Sequence, residues 1–167
     1  MNLGGCAVEL TLTAKVRLYP DPEQVAILQQ TVDAYRQGCI WVSGIVETTH
    51  CLQQTVLHAK TYRPLRTQFG LRSQMAQSVI KTVMARYKSV LGNGQPWTHV
   101  QFTKPALDLV WNRDYSLKSS GLSLNTLAGW STSLLPCTGW NAFLMGPGGL
   151  VRPNRRTAMA VGFSIFR

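Results

Sequence analysis

Residues 73–91, SQMAQSVIKTVMARYKSVL, carry the most regular hydrophobic pattern in the chain. Apolar side chains recur there at spacings of three and four residues: Met75, Val79, Val83, Tyr87 and Val90. This spacing places them along one face of an α-helix, where they would pack in a core. The sequence Gly92-Asn93-Gly94 that follows predicts the end of the helix.

A second helix is predicted after the turn Pro20-Asp21-Pro22-Glu23. Asp21 is a predicted N-cap, because its side chain can accept a hydrogen bond from a free N–H of the first helical turn, and Pro22 suits the first helical position. Apolar residues then recur with helical spacing toward Val46. The preceding residues 8–19, VELTLTAKVRLY, alternate as in a strand, with Lys15 and Arg17 on its polar face.

The remaining segments predict shorter elements. Residues 52–60 favour a short helix, and residues 61–71 (TYRPLRTQFGL) indicate a basic connector broken by Pro64 and Gly70. Beyond the long helix, residues 98–102, 106–111 and 121–127 have strand-like composition. The order of strand, helices and strands predicts an α+β fold in which helices interrupt a β unit.

The distribution of charge is the main functional signal. Seventeen Lys and Arg face seven acids, for a net charge of +10. No acid occurs between Glu47 and Asp108, but this block contains eight cations: Lys60, Arg63, Arg66, Arg72, Lys81, Arg86, Lys88 and Lys104. A block of one sign favours a polyanionic partner such as DNA or RNA, because cations placed on phosphates release counterions. A solvated basic face without a partner is the alternative.

The sequence gives little support for an enzyme. After Glu47, Asp108 and Asp114 are the only acids in the sequence, and they are six residues apart. A two-metal nuclease needs several converging carboxylates. The segment containing Cys39, His50, Cys51 and His58 lacks the paired spacing of a zinc site. The glycines at 146–149 lack the Lys-Ser/Thr of a phosphate-binding loop. We therefore expect no catalytic residues, no metal, no cofactor and no small-molecule substrate.

Targeting and redox signals are equally sparse. The N-terminus lacks the basic and apolar regions of a signal peptide, and no apolar run suggests a membrane span. The four cysteines are irregularly spaced, which favours reduced thiols. These features predict a cytoplasmic protein without a membrane partner.

Three segments in order resemble one family. They are KVRLYPDPEQVAILQQTVDAYRQGCIWVS, LRSQMAQSVIKTVMARYKSV, and QFTKPALDLVWNRDYSL with GLSLNTLAG. Together, over about residues 11–129, they resemble the N-terminal part of TnpB, the OrfB-type transposon-encoded, RNA-guided nuclease related to type V CRISPR effectors. The family pattern includes R-L-Y-P-x-x-x-Q, Q-S-x-I-K-x-V-x-x-x-Y-K and L-x-L-V-x-x-x-D-Y-S-L.

The resemblance implies a wedge-type β-barrel, here incomplete, interrupted by a helical recognition insert. Residues 8–19 would be its first strand, 20–92 the insert and 93–129 further wedge strands. In the family this region holds a guide RNA and reads a DNA motif beside the target. Gln77 matches a glutamine that contacts bases, and Tyr62 is aligned loosely with a tyrosine of similar role, a partly buried aromatic being its alternative.

Backbone contacts are assigned by the resemblance and by charge. The resemblance assigns Lys15, Arg17, Lys81 and Lys88 to the nucleic-acid backbone, where contacts position a protein without specifying sequence. The basic block adds Arg63, Arg66 and Arg72 as candidate nucleic-acid-binding residues.

The similarity to the family ends near Gly129, and residues 130–167 predict an irregular, disordered or out-of-frame tail. WSTSLLPCTGWNAF can be encoded so that the adjacent frame reads VEHVPFTLHGMERF. With permitted codons, the rest of the tail continues as FDGTWRFGTAKSSNRDGRWFFHIP, which resembles the family's next segment. We therefore hypothesise a single-base frameshift near codon 129, which would replace the remaining wedge strands, the RuvC-like nuclease domain and the zinc element.

Two functions follow as expectations. The first is a truncated TnpB-like, transposase-associated protein that retains the nucleic-acid-binding region without nuclease activity. The alternative is a small stand-alone nucleic-acid-binding protein that acts as an accessory or regulatory factor.

Overall fold

The computed structural model describes residues 20–103, 106–110, 112–118, 121–134 and 158–162. Three helices come first: α1 (Pro22–Thr49), α2 (Gln54–Thr67) and α3 (Ser73–Gly92). Five strands follow: β1 (Ala106–Val110), β2 (Tyr115–Lys118), β3 (Gly121–Thr126), β4 (Gly129–Leu134) and β5 (Ala158–Gly162). Strands β2, β3 and β4 form one antiparallel sheet, and β1 pairs antiparallel with β5.

The start of α1 confirms the predicted cap. The Asp21 carboxylate accepts a hydrogen bond from the Gln24 N–H at 2.8 Å, and the Gln24 side chain accepts one from the Asp21 N–H at 3.3 Å. This capping box satisfies two amide groups that the first helical turn leaves without partners, and Pro22 follows the cap as predicted. The helix runs past Val46 and ends before His50, whose φ of 48° is left-handed.

The predicted boundary of α2 was wrong. The helix does not end near Lys60 but continues to Thr67 and includes Pro64, which we expected to break the chain. Proline removes one backbone hydrogen bond and normally ends a helix. Here Leu65, directly after Pro64, is completely buried in the core, and that packing outweighs the local preference. Gly70, with φ of +65°, then forms the turn after the helix.

The predicted helix over 73–91 is confirmed as α3. Its apolar face packs against both α1 and α2, and Val79, Val83 and Tyr87 are fully buried. Gly38 of α1 is part of this contact: a Cβ there would lie 3.1 Å from the Leu65 Cδ2 and 3.2 Å from a Leu71 methyl. The glycine therefore allows α1 to approach Leu65 in the last turn of α2 and Leu71 after that helix.

The strand predicted at 98–102 was wrong. The Val100 N–H, which a strand would pair with a neighbouring strand, instead donates to the Tyr87 hydroxyl at 3.4 Å. Its carbonyl accepts from the Ser43 hydroxyl at 2.9 Å. These side-chain partners satisfy the backbone of Val100, so the segment packs on α1 and α3 without forming a strand.

The other strand predictions fare better. The strands predicted at 106–111 and 121–127 are confirmed as β1 and β3. Strand β2 was missed, although its residues belong to a quoted family motif. Within residues 130–167, most of β4 and all of β5 are strands, paired with β3 and β1 respectively, and the β3–β4 register shifts between Leu122 and Leu124.

Some predictions lie outside the described residues. The strand predicted over residues 8–19 is among them, with Lys15 and Arg17. The described chain combines helices with antiparallel strands, and the wedge-type barrel stays a prediction. No helix in the described ranges has the length and apolar character needed to cross a membrane.

Candidate nucleic-acid interface

The outer surface of α3 carries the first group of candidate residues. Gln77 is half-buried, whereas Lys81 and Lys88 are exposed. Their spacings of four and seven residues place all three along one side of the helix. A different side of α3 holds Thr82, whose hydroxyl hydrogen-bonds to the Tyr35 hydroxyl at 2.9 Å and to the Asp108 carboxylate. The Lys81 side of α3 is therefore distinct from the side that contacts α1 and β1.

The second group lies on α2. Arg63 and Arg66 are exposed, and Tyr62 is half-buried against the core. The Tyr62 ring stacks on the His58 ring with centroids 4.5 Å apart and planes 17° apart. One Arg66 Nη donates to the Tyr62 hydroxyl at 3.3 Å. The structure thus joins two predicted residues, Tyr62 and Arg66, in one contact.

Arg72 forms the start of α3. It occupies the N-cap position with extended backbone and an exposed side chain, and it makes no side-chain capping bond. Its backbone carbonyl accepts from the Ala76 N–H at 2.9 Å. The Arg72 side chain is therefore presented between the last residues of α2 and the first turn of α3.

In the described ranges, these cations form no ion pairs with carboxylates. The ion pairs of the described ranges are Arg36–Asp33 at 3.3 Å and His99–Glu47 at 3.0 Å. In the same ranges, no Lys or Arg of the block between Glu47 and Asp108 is paired with an acid, and those described are all exposed: Lys60, Arg63, Arg66, Arg72, Lys81, Arg86 and Lys88. A surface of this kind attracts phosphates from a distance.

Sequence reasoning missed His58 as part of this surface. From the sequence, His58 was considered only as a zinc ligand, and its spacing does not fit a zinc site. The signal was its position four residues before Tyr62, because such residues face each other on a helix. The structure shows the two rings in contact.

The two acids considered for catalysis have structural contacts. The Asp108 carboxylate accepts the bond from Thr82, and one oxygen of the buried Asp114 accepts the Val110 N–H at 2.9 Å. Burial raises the pKa of Asp114, although the hydrogen bond from Val110 and the charge of Arg113 act in the opposite direction. Among the described residues, no three His, Cys, Asp or Glu side chains are grouped to hold a metal.

The described cysteines carry free thiols. Cys39 is buried in the core beside Tyr35, and Cys51 is half-buried. Burial raises the pKa of both the Cys39 thiol and the Tyr35 hydroxyl, and the Asp108 charge acts in the same direction. Cys39 is therefore a protonated, unreactive thiol at neutral pH.

Comparison with known proteins gives one match. Residues 10–37 match the family model for the helix-turn-helix domain of OrfB proteins of the IS605 group. The described part of this match is Pro20, the Asp21 cap and the first half of α1. No curated protein and no solved structure matches the chain significantly. Over residues 10–37 the chain is thus similar to the N-terminal helix-turn-helix domain of OrfB proteins, and this match indicates a DNA-binding, transposase-associated protein.

Proposed function

We propose that this chain binds DNA through the exposed cations of α2 and of the Lys81 side of α3, as part of a transposon-encoded system. The observation that carries the proposal is a set of exposed Lys and Arg on two packed helices, none of them paired with a carboxylate in the described ranges. The OrfB match over residues 10–37 supports the same partner. Lys81 and Lys88 contact phosphates in this proposal.

Gln77 is the candidate for reading sequence. Its amide offers both a donor and an acceptor, which suit the paired groups on the edge of an adenine. Its position one turn before Lys81 places it beside a phosphate-binding cation. In its finer form the proposal assigns Gln77 to a DNA motif and the wider basic surface to a guide RNA.

The experiment is a set of binding titrations on labelled duplexes at several salt concentrations. Lys81→Ala should weaken binding equally on all sequences and flatten the salt dependence by about one unit of slope. Arg86→Ala is the matched control, because Arg86 is exposed on the same helix but about 140° around its axis from Lys81. Equal losses for the two variants would contradict a binding surface on the Lys81 side.

Gln77→Ala distinguishes recognition of DNA bases from sequence-independent binding to the DNA backbone. It should reduce discrimination between preferred and altered duplexes while binding to unrelated DNA stays near that of the wild type. A loss of about 1–3 kcal/mol on the preferred site is the expected size for a bidentate base contact. Equal losses on every duplex would remove the case for base reading by Gln77.

The proposal extends to the gene. The chain corresponds to the nucleic-acid-binding region of a TnpB-like protein, followed after about residue 129 by residues translated from the adjacent frame. The support is the shifted-frame peptide VEHVPFTLHGMERF and its continuation, together with 53 residues without an acid after Asp114. The nucleotide sequence tests this: wedge and RuvC-like coding must continue in the neighbouring phase. Unrelated coding there would refute the frameshift.

A stand-alone nucleic-acid-binding protein is the second candidate. The observation that favours it is strand pairing by the C-terminal region: β4 follows β3 in one sheet, and β5 covers all of β1 from Ala106 to Val110. Hydrogen exchange measures this directly. Slow exchange in β5 in a monodisperse protein would favour an intact small binder, whereas rapid exchange in β5 would favour a lost reading frame.

A further inference from the structure

Three side chains form a ladder along α2. His58, Tyr62 and Arg66 succeed one another at intervals of four residues, so they lie nearly above one another on one side of the helix. The His58 and Tyr62 rings are stacked at 4.5 Å, and Arg66 donates to the Tyr62 hydroxyl at 3.3 Å. Tyr62 also packs against the core. The Tyr62 ring therefore connects the exposed Arg66 guanidinium to the hydrophobic core.

This geometry changes the role open to Tyr62. Its hydroxyl already accepts a hydrogen bond, and one of its ring faces is covered by His58. A base that stacked on the covered face would have to displace His58, and a base that hydrogen-bonded to the hydroxyl would have to accept its proton beside the Arg66 guanidinium. By contrast, the Arg66 guanidinium has five donors, of which this contact uses one, and its side chain is exposed.

We propose that Tyr62 is a positioning residue that holds Arg66 for a nucleic-acid phosphate, and that His58 supports the ring by stacking. The inference rests on the proposed function, since it names which group of α2 contacts the backbone. A held guanidinium loses less conformational entropy when it binds a phosphate than a free one does. No acid of the 48–107 segment competes for Arg66, because the segment contains none.

The test is a double-mutant cycle on Tyr62 and Arg66, with binding measured on two unrelated duplexes across a salt series. Arg66→Ala should weaken binding about fivefold and lower the salt slope by about one. Tyr62→Phe keeps the ring and removes only the hydroxyl, so it should weaken binding about two- to threefold on both duplexes. In the Arg66→Ala background, Tyr62→Phe should have no further effect.

His58 provides the rescue test. His58→Ala removes the stacking partner and should weaken binding by about twofold, whereas His58→Phe keeps a stacked ring and should restore wild-type affinity. Thermal melting of each variant identifies any loss that comes from unfolding. Arg63→Ala is the control for Arg66→Ala, because Arg63 is exposed on the same helix but has no contact with Tyr62 among those described. Tyr62→Phe should remain additive with it.

The outcomes separate the inference from the proposed function. Tyr62→Phe that changes the preference between duplexes would overturn the inference in favour of base reading. Additive effects of Tyr62→Phe and Arg66→Ala would also overturn it, while leaving DNA binding intact. A wild-type protein that binds neither duplex at low salt would refute the proposed function itself.

Discussion

The helices and the strands of this chain are held together in different ways. Side chains join the helices: Val42, Leu57, Val79 and Tyr87 come from all three and are completely buried. The strands pair through their backbones and contribute fewer side chains, such as Leu109 and Leu124, to the same core, and polar side chains complete their turns. Asp114 accepts from the Val110 N–H, and Thr126 donates to the Gly129 carbonyl at 2.8 Å. Because most of the buried apolar side chains come from the helices, we expect the helices to contribute most of the stability.

This difference explains where the cations lie. A helix that buries one face in a packed core leaves its opposite face free of structural demands. In α2 and α3 that outer face holds the unpaired Lys and Arg. We therefore expect these residues to tolerate substitution without loss of the fold. In the turn between β1 and β2, by contrast, the polar side chain of Asp114 is itself fully buried, so a substitution there also affects the fold.

Leu57→Ala should give the largest effect. It leaves a cavity in the buried core, and we expect the free energy of unfolding to fall by about 2–5 kcal/mol. Leu122→Ala in β3 is the matched substitution, at a side chain 5 % exposed, and should cost less. Chemical denaturation measures both. An equal or greater loss at Leu122 would contradict the concentration of stability in the helices.

Tyr87→Phe comes next. The Tyr87 hydroxyl donates to the Ser43 carbonyl at 3.1 Å and accepts from the Val100 N–H, and all these groups are buried. Removing the hydroxyl leaves the buried Val100 N–H without this acceptor, so we expect a loss of about 1–3 kcal/mol. Tyr35→Phe removes a hydroxyl whose partner Thr82 is only part-buried, and should cost less. Thermal unfolding compares the two variants.

Asp21→Ala should cost about 1 kcal/mol, because it removes the side-chain acceptor of the capping box of α1. Asp21→Ser retains an acceptor and should recover most of the loss. Circular dichroism during denaturation measures both variants. If the alanine variant were as stable as the wild type, the start of α1 would contribute nothing to the stability of the helices.

Asp114→Asn tests the strand turns and should have the smallest effect. Because burial raises the pKa of Asp114, the folded protein holds this proton to higher pH than the unfolded chain. The free energy of unfolding therefore falls as the pH rises from about 3.8, the ordinary value, through the raised pKa. Asparagine keeps an acceptor for the Val110 N–H without the charge.

The Asn variant should accordingly be more stable than the wild type at pH 7, and this advantage should disappear below pH 3.8, where both states of the wild type are protonated. Denaturation at a series of pH values gives the comparison. A constant difference across the whole range would show that the charge of Asp114 is not responsible.

Local pattern predicted much of the helical region. The Asp21–Pro22 start and the periodicity of α3 were sufficient because caps and amphipathic spacing act within a few residues. The errors arose where distant contacts decide the conformation. Leu65 keeps α2 helical through Pro64, and Ser43 and Tyr87 provide the partners that Val100 would otherwise seek in a sheet. Local spacing does not contain those contacts.

In the candidate site, too, the residues fixed by local helical spacing were predicted, and the contact that depends on distant packing was not. Lys81 and Lys88 follow directly from spacing on a helix, and the structure places them exposed on one side as expected. The ladder of α2 was not predicted, because the helix was expected to end before Arg66. Once α2 continues through Pro64, the interval from Tyr62 to Arg66 becomes one helical turn and their contact follows.

One contact between the two regions bears on the order of folding. The Leu127 N–H, in the turn between β3 and β4, donates to the Thr31 hydroxyl of α1 at 3.3 Å, across 96 residues of sequence. Closing so long a loop costs entropy that contacts near in sequence avoid, and distant pairings form slowly. During synthesis α1, α2 and α3 emerge before Leu127 and have time to pack. We therefore expect the helices to assemble first and the sheet to dock onto α1 as a later kinetic phase.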